Sequence, residues 1–263
     1  MTFETITTSV AQGVAVLTLN RPETLNSFND RMHGEVRAFL QTVRSDGSIR
    51  CLVITGAGRG FCAGQDLGDR AVAGEGEAPD LGASVERNYN PLIKSLMTLE
   101  MPVVCAVNGV AAGAGANIAL ACDIVLAAKS ASFVQSFCRI GLVPDSGGTW
   151  NLPRVLGLPR ARGLALLGDK LPAETAAQWG MIWRCVEDGD LMTETLALAA
   201  HLAAQPTRGL AAIKRLLNQS MANNLDEQLE LEKEAMRELG RTVDYREGVA
   251  AFLEKRKPVF RGE

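Results

Sequence analysis

The chain has no excess of basic residues, no long apolar run and no secretory-signal pattern in its first residues, and we expect each absence to exclude a class of function. Lysine and arginine number 27 against 30 aspartates and glutamates, a formal charge of −3, so the broad basic surface that nucleic acids need is missing. No apolar stretch is long enough to span a bilayer. The N-terminus, MTFETITTSV, lacks the basic region and apolar run of a secretory signal. We therefore expect a cytoplasmic protein that binds neither nucleic acid nor membrane.

The six cysteines also lack the spacings of metal sites and disulfide frameworks. None is in CxxC spacing, and most lie in apolar runs, so we expect reduced, buried thiols and no metal site. Cys62 is the one candidate nucleophile, but the only histidines are His33 and His201, and neither adjoins it in sequence. His33 lies on a predicted amphipathic helix and is expected on a polar surface or with a satisfied partner, far from the loops described below.

Strand-like and helix-like patterns alternate along the chain. GVAVLTLN and CLVITG are short apolar segments typical of strands, whereas residues 29–44 carry apolar side chains at helical spacing. VVCAVNG and CDIVLAA repeat the strand pattern, and almost everything after residue 191 is helical. With 47% hydrophobic and 22% charged residues, this alternation predicts a globular α/β core followed by a helical C-terminal region.

Two glycine-rich loops, FCAGQD and NGVAAGAGAN, each follow a predicted strand. Glycine and alanine let the backbone approach a ligand closely, and NH groups at a helix start suit an oxygen that becomes negative during a reaction. The second loop has neither the Gly-Lys-Ser/Thr ending of a phosphate-binding loop nor the third glycine of the dinucleotide fingerprint. The structural alternative is that the small residues only let a helix pack closely on a sheet.

A carboxylate stands in a sharply turning segment, GLVPDSGGTW. Asp145 follows a proline and precedes a serine and two glycines. Because Asp and Ser are among the best N-cap residues, Asp145 or Ser146 could simply cap a helix that begins near Gly147. The alternative is a catalytic role for Asp145, which the two glycine-rich loops favour. Asp145 could also do both in different states.

In combination, these motifs resemble the crotonase superfamily, the enoyl-CoA hydratase and isomerase group. The resemblance is carried by RPETLNSFN, FCAGQDL, AVNGVAAGAGANIALACDIVLA and GLVPDSGGTWNLPRVLG, and it extends to YREGVAAFLEKRKP near the C-terminus. It implies an α/β fold with a spiral core of ββα turns over residues 1–200 and a helical C-terminal trimerisation region over residues 201–263. It also implies homotrimers, often paired into homohexamers, which another enzyme of the same pathway could join.

The resemblance further implies an acyl-CoA substrate whose thioester carbonyl lies between the backbone NH groups of Gln65 and Ala114. No separate cofactor is implied, since coenzyme A is part of the substrate. The implied coenzyme A contacts are Leu25, Ala63, Asp66 and Leu67. The basic C-terminal run EKRKPVFR could reach the coenzyme A phosphates through Lys255 or Lys257, or it could be a solvated tail.

The carboxylates narrow the chemistry that the resemblance allows. Family hydratases use two glutamates, and this chain has Asn117 and Phe137 at the matching positions. Asp145 stands where some isomerases and one dehalogenase of the family keep a catalytic aspartate. The dehalogenase reaction also needs a histidine, and the matching segment VERNYNPL has none. One carboxylate suffices for a 1,3-proton shift, because it can take a proton from one carbon and return it to another while the oxyanion hole holds the dienolate.

Phe137 and Tyr89 are the candidate side chains of the acyl pocket, although Tyr89 could equally be a helix-packing residue. If Phe137, Val143 and Trp150 surround Asp145, desolvation raises the pKa of Asp145 and strengthens it as a base.

Within the superfamily, RPETLNSFND, GRGFCAGQDL, APDLGASVERNYNPL, PDSGGTW and WGMIW resemble the ring-opening isomerases of phenylacetate degradation. That resemblance implies conversion of ring-1,2-epoxyphenylacetyl-CoA to 2-oxepin-2(3H)-ylideneacetyl-CoA, and a second activity that moves a Δ3 double bond of an enoyl-CoA to Δ2. Composition and spacing alone lead only to proton transfer next to a thioester. Two alternatives stay open: a hydratase with an unusual acid/base arrangement, and a non-catalytic acyl-CoA-binding assembly partner.

Overall fold

The structure, a computed structural model, describes residues 2–68 and 80–263. Within these residues, ten strands form two sheets. The strands are β1 (Ile6–Ala11), β2 (Val14–Leu19), β3 (Cys51–Gly56), β4 (Gly60–Cys62), β5 (Val103–Val107), β6 (Val110–Ala112), β7 (Ile124–Ala128), β8 (Ser132–Val134), β9 (Lys170–Pro172) and β10 (Arg184–Val186).

The strand order explains which strands are the most apolar. The six-stranded sheet has the order β1-β2-β3-β5-β7-β10, and the four-stranded sheet has the order β4-β6-β8-β9. β1 pairs antiparallel with β2, and all further pairs of the larger sheet are parallel. The central strand β5 is buried along its whole length, whereas the edge strand β1 exposes all but its first residue. Central parallel strands are covered on both faces, which is why VVCAV is continuously apolar.

Helices cover the sheets and form the C-terminal region. They are α1 (Asp30–Ser45), α2 (Leu81–Ser84), α3 (Asn90–Thr98), α4 (Ala114–Leu120), α5 (Gly148–Leu167), α6 (Ala173–Gln178), α7 (Leu191–Ala203), α8 (Thr207–Ser220), α9 (Leu225–Leu239) and α10 (Val243–Leu253). A π-helical segment, Val85–Tyr89, joins α2 to α3. α5 is broken at Gly157, whose φ of 71° and ψ of 161° are not helical.

The spiral of ββα turns implied by the resemblance is confirmed. In β3-β4-α3, β5-β6-α4 and β7-β8-α5, the first strand lies in the larger sheet, the second lies in the smaller sheet and a helix follows. β4, β6 and β8 pair in parallel, so the segments that follow them leave from the same edge of the smaller sheet. The first glycine-rich loop continues from β4, the second contains β6 and leads into α4, and the Asp145 segment follows β8. The fold therefore brings together three segments that are far apart in sequence.

The helix predicted over residues 29–44 is confirmed as α1. The Asn29 side chain accepts a hydrogen bond from the backbone N–H of Met32 at 2.9 Å, which caps the first turn. The apolar face predicted from the spacing is buried against the core. That face consists of Met32, Val36, Phe39, Leu40 and Val43.

The C-terminal helical region is confirmed, and the boundary predicted after residue 200 falls inside α7. A buried cation attaches α8 to the core: the Lys214 Nζ lies 2.8 Å from the Asp123 carboxylate and 2.7 Å from the carbonyl oxygen of Leu96. The helices α8 to α10 also leave large apolar side chains exposed. These include Leu217, Met221, Leu225, Met236, Phe252 and Leu253. Among the described helices, none is long and apolar enough to cross a membrane.

Candidate active site

The two glycine-rich loops meet at their glycines. A methyl group on Gly64 would lie 2.9 Å from the carbonyl oxygen of Ala112 and 3.2 Å from the backbone nitrogen of Ala114. A methyl group on Gly115 would lie 2.2 Å from the carbonyl oxygen of Cys62. Because these contacts are with backbone atoms, a side chain at either glycine would force the loops apart. The glycines therefore place the loop after β4 directly against the start of α4.

The backbone N–H of Gln65 points away from the strand segment beside it. The N–H of Phe28 donates to the Gly64 carbonyl at 2.7 Å, and the N–H of Asp66 donates to the Phe28 carbonyl at 2.9 Å. Backbone groups alternate in direction along an extended segment, so the N–H of Gln65, between these two residues, points to the opposite side. This is the orientation that an oxyanion donor needs, and the donor role itself stays a prediction.

The other implied donor, Ala114, is the first residue of α4. Its N–H is one of the four at a helix start that have no acceptor within the helix, and the helix dipole adds partial positive charge there. The N-cap residue, Gly113, has φ 54° and ψ −125° and has no side chain to cap the helix. The close approach of Gly64 to this N–H places it beside the loop of Gln65. The geometry suits an oxyanion hole built from both loops.

Three of the residues implied in coenzyme A binding, Ala63, Asp66 and Leu67, lie in or next to the first glycine-rich loop, and the fourth, Leu25, contacts this loop. The N–H of Ala63 donates to the carbonyl of Leu25 at 2.9 Å, which joins two of them. The Asp66 carboxylate forms a largely buried ion pair with Arg21 at 2.9 Å, and Leu67 is exposed. The sequence alone did not indicate Arg21, because no motif pairs it with Asp66. The contacts of Leu25, Ala63, Asp66 and Leu67 with coenzyme A stay predictions.

The basic run at the C-terminus is partly neutralised within the chain. Arg256 lies 2.6 Å from Glu247 and 2.6 Å from Glu254, whereas Lys255 and Lys257 on either side of it are exposed. A contact of either lysine with coenzyme A phosphates stays a prediction.

Asp145 lies in a tight turn before α5. Ser146 and Gly147 both have positive φ, 51° and 76°. The Ser146 hydroxyl donates to Oδ1 of Asp145 at 2.8 Å, and the N–H of Gly148 donates to the Asp145 carbonyl at 2.8 Å. The N-cap residue of α5 is Gly147, which has no side chain. Neither Asp145 nor Ser146 is therefore the N-cap residue of α5, and the capping alternative does not apply to either of them.

The three candidate apolar neighbours of Asp145 differ in their exposure. Phe137 is buried, but Val143 is 76% exposed and Trp150 is 38% exposed. An exposed Val143 can contribute little to desolvation of the carboxylate, and the enclosure of Asp145 by all three residues stays a prediction. The Phe137 ring borders the start of α4, with its Cζ 3.7 Å from the position of a methyl group on Gly113. Phe137 thus lies next to the loop where the acyl chain would emerge, and its role in the acyl pocket stays a prediction.

Two buried amides hold the Asp145 turn, and the sequence alone did not indicate either role. Nδ2 of Asn117 donates to the Asp145 carbonyl at 2.8 Å, and Nε2 of Gln135 donates to Oδ1 of Asn117 at 2.9 Å. The sequence pattern marks Asn117 only as the replacement of a family glutamate. One signal was available: an amide in place of a carboxylate adds a hydrogen-bond donor, and a buried donor requires an acceptor.

Tyr89 is fully buried, and its hydroxyl donates to Oε1 of Gln65 at 2.9 Å. It ends the π-helical segment, a feature that is frequent at functional sites. The His33 ring centroid lies 4.6 Å from the Tyr89 ring and 4.7 Å from the Phe28 ring. His33 is therefore buried beside the first glycine-rich loop, and the expectation that it lies far from the loops is wrong. The role of Tyr89 in the acyl pocket stays a prediction.

Cys62 does not fit the role of nucleophile. Burial raises the pKa of its thiol to about 12, so the thiolate is rare near neutral pH. Its Sγ accepts a hydrogen bond from the N–H of Gly64 at 3.4 Å, so the thiol has a structural role in the loop. Over residues 2–68 and 80–263, no group of three or more His, Cys, Asp or Glu side chains is placed to hold a metal ion.

Known proteins resemble the chain over its whole length. A family model described as enoyl-CoA hydratase/isomerase matches residues 9–263. The 1,2-epoxyphenylacetyl-CoA isomerase of Escherichia coli K12 is 60% identical over 260 residues, which cover 99% of each chain. A probable enoyl-CoA hydratase of Rhodobacter capsulatus is 48% identical over 262 residues, covering 100% of each chain.

A solved structure shows the same fold. The crystal structure of an enoyl-CoA hydratase from Polaromonas sp. JS666 has a TM-score of 0.90 and 36% identity, and the match covers 97% of this chain and 99% of that one. Its fold therefore agrees with the two sheets and the C-terminal helices described above. The chain belongs to the enoyl-CoA hydratase/isomerase family.

Proposed function

We propose that the chain is an acyl-CoA isomerase that converts ring-1,2-epoxyphenylacetyl-CoA to 2-oxepin-2(3H)-ylideneacetyl-CoA. The observation that carries the proposal is the pattern of carboxylates: Asp145 stands in a fixed turn beside α4, while the two glutamate positions of the hydratases hold Asn117 and Phe137. The identity of 60% with the isomerase of Escherichia coli supports the same reaction.

The thioester supplies the chemistry that the two loops stabilise. Removal of a proton from the carbon next to the thioester forms an enolate whose oxygen carries negative charge. The N–H groups of Gln65 and Ala114 would donate to that oxygen, and donors already in place cost no reorganisation when the charge forms. Loss of one such donor typically lowers kcat by about 10²–10³.

Asp145 would act as the proton shuttle in both implied reactions. A ring epoxide opens to the oxepin by electron rearrangement, without a protein acid or base. What remains is a proton transfer from the methylene carbon next to the thioester to a carbon of the seven-membered ring. Moving a Δ3 double bond to Δ2 is the same kind of 1,3-shift. One carboxylate on one face of the substrate accomplishes each transfer, with no net gain or loss of protons.

Coenzyme A would bind along the edge formed by Leu25, Ala63, Asp66 and Leu67, and no separate cofactor takes part. The backbone contact between Leu25 and Ala63 and the Arg21–Asp66 ion pair support this edge as a prearranged surface.

The chain is proposed to act as a homotrimer or homohexamer. The exposed apolar residues of α9 and α10 support this, since Met236 is 71%, Leu253 73% and Phe252 82% exposed. Light scattering should give three or six times 28.1 kDa, and a mass of 28.1 kDa at micromolar protein would contradict it. If another enzyme of the pathway elutes together with this chain, the two proteins form a larger complex.

The function is tested by offering three substrates to the purified protein: the ring epoxide, a 3-enoyl-CoA and crotonyl-CoA. We expect the oxepin product from the first, the 2-enoyl-CoA from the second and little water addition to the third. Rapid hydration of crotonyl-CoA without isomerisation would support a hydratase instead. Tight binding of all three thioesters without turnover would identify a non-catalytic acyl-CoA-binding protein.

A further inference from the structure

The orientation of two buried amides follows from a single backbone carbonyl. The carbonyl oxygen of Asp145 can only accept, so the Asn117 atom 2.8 Å from it must be the amino group. The Asn117 oxygen then faces Gln135, whose nearest group must in turn be its own amino group, at 2.9 Å. Asn117 is 0% and Gln135 3% exposed, so neither amide can exchange these partners for solvent. The two amides thus form a directed relay that ends on the Asp145 backbone.

The relay is confined by close packing around Asn117. A methyl group on Gly148 would lie 2.4 Å from Nδ2 of Asn117, so the first turn of α5 rests directly on this amide. Gly148 also donates its N–H to the Asp145 carbonyl at 2.8 Å. That carbonyl therefore has two donors from two different helices, α4 and α5, and both fix its direction.

The relay also connects the Asp145 turn to the implied oxyanion hole. Asn117 stands three residues after Ala114 on α4, which is about 4.5 Å along the helix axis. Residues three apart lie on the same side of a helix. The group that holds the Asp145 turn is therefore attached rigidly to the element that presents the N–H of Ala114.

We propose that Asn117, oriented by Gln135, is a positioning residue that holds the Asp145 turn in register with the oxyanion hole through the Asp145 backbone carbonyl. The inference rests on the proposed acid/base role of Asp145. A carboxylate at position 117 has no donor for that carbonyl and would place two acceptors face to face. The present geometry of the Asp145 turn thus uses a hydrogen-bond donor at position 117.

The test compares three single variants in the isomerisation of a 3-enoyl-CoA. Asn117→Leu removes both relay bonds and keeps the number of heavy atoms and the branching of the side chain, and Gln135→Leu removes only the bond that orients Asn117. The matched control is Asn151→Leu, because Asn151 is also a buried asparagine near this turn, and its Nδ2 has no hydrogen-bond partner among the described residues.

A displacement of the carboxylate by about 1 Å typically lowers the rate about 100-fold. We therefore expect Asn117→Leu to lower kcat about 30- to 100-fold, Gln135→Leu to lower it less, and Asn151→Leu to stay within about 3-fold of wild type. KM and the Kd of a saturated acyl-CoA should not change, since the relay does not touch coenzyme A. Equal losses in Asn117→Leu and Asn151→Leu would overturn the proposal, because any buried asparagine would then have the same effect.

A double variant separates this proposal from the proposed function. If Asn117 acts through Asp145, Asn117→Leu should cause no further loss in an Asp145→Asn background. If Asp145→Asn retains wild-type kcat, the proposed function fails. The third outcome is that Asp145→Asn lowers kcat and that adding Asn117→Leu lowers kcat further by the same factor as Asn117→Leu does alone. In that case the positioning role fails and the proposed function stands. Should Asn117→Leu not fold, as judged by thermal unfolding, the same cycle with Gln135→Leu decides the matter.

Discussion

Gly115→Ala should separate the two loops of the oxyanion hole with a single methyl group. The added Cβ would meet the carbonyl oxygen of Cys62 at 2.2 Å and the Cys62 Cβ at 2.8 Å. Ordinary contact begins near 3.4 Å, so the start of α4 must move by about 1 Å relative to the first loop. No flexible side chain can absorb this movement, because the main contact is with backbone. The N–H of Ala114, next to Gly115, must move with the helix.

Two quantities should change in Gly115→Ala. Overpacking of a dense core costs about 1–3 kcal/mol, which should appear in the free energy of unfolding from urea titration. Displacement of one oxyanion donor should lower kcat by about 10²-fold or more in the isomerisation of a 3-enoyl-CoA. The Kd of a saturated acyl-CoA should change less than kcat, because the oxyanion donors stabilise negative charge that develops only during the reaction.

Gly34→Ala is the matched control, since Gly34 lies on α1 with no atom within 4 Å of an added methyl group. Alanine should stabilise that helix by about 0.5–1 kcal/mol and leave kcat unchanged. If Gly115→Ala has wild-type kcat and stability, then either the loops are not in contact as described or the N–H of Ala114 takes no part in the reaction.

Three other changes test separate parts of the structure. Lys214→Met leaves the Asp123 carboxylate without its cation and should cost about 3 kcal/mol of unfolding free energy. Adding Asp123→Asn removes the charge and keeps an acceptor for the N–H of Val103, so it should recover part of that loss, and no recovery would argue against the ion pair. Hydrogen bonds from Arg256 and the backbone of Val259 lower the pKa of Glu247 to about 2. The C-terminal tail should therefore stay attached above the ordinary pKa of 4.5 and loosen as the pH falls toward 2, which hydrogen exchange of the tail would detect. Cys62, with a thiol pKa of about 12, should resist iodoacetamide in the native protein at pH 8, and rapid labelling would show that it is accessible.

The sequence predicted the parts of the fold that depend on local pattern. Residues 29–44 carry their apolar side chains on one helical face, and α1 buries that face. The glycines of FCAGQD and GAGAN indicated a close approach of backbones, and Gly64 and Gly115 are in such contacts. In both cases the physical reason acts over a few residues, so a short window of sequence contains it.

The features that the sequence did not predict depend on partners far along the chain. Asn117 bonds to groups 18 and 28 residues away, and no spacing rule connects them. The sequence predicts His33 on a polar surface or with a satisfied partner, and the packing of its ring against Phe28 and Tyr89 depends on contacts that the pattern of α1 does not contain. The exposure of Val143 could not be predicted either, since an apolar residue in a turn is buried only if some other element covers it.

The central claim is that Asp145 carries the proton between two carbons of the substrate. The measurement that tests it most directly is isomerisation of a 3-enoyl-CoA in deuterated water, followed by mass spectrometry, with wild type and Asp145→Asn side by side. Asp145→Asn keeps the shape of the side chain and the backbone carbonyl that Asn117 holds, and it removes only the base. We predict that the double-bond shift is lost in Asp145→Asn while the variant still binds acyl-CoA with the wild-type Kd. Equal turnover by both proteins would contradict the account and place the base elsewhere.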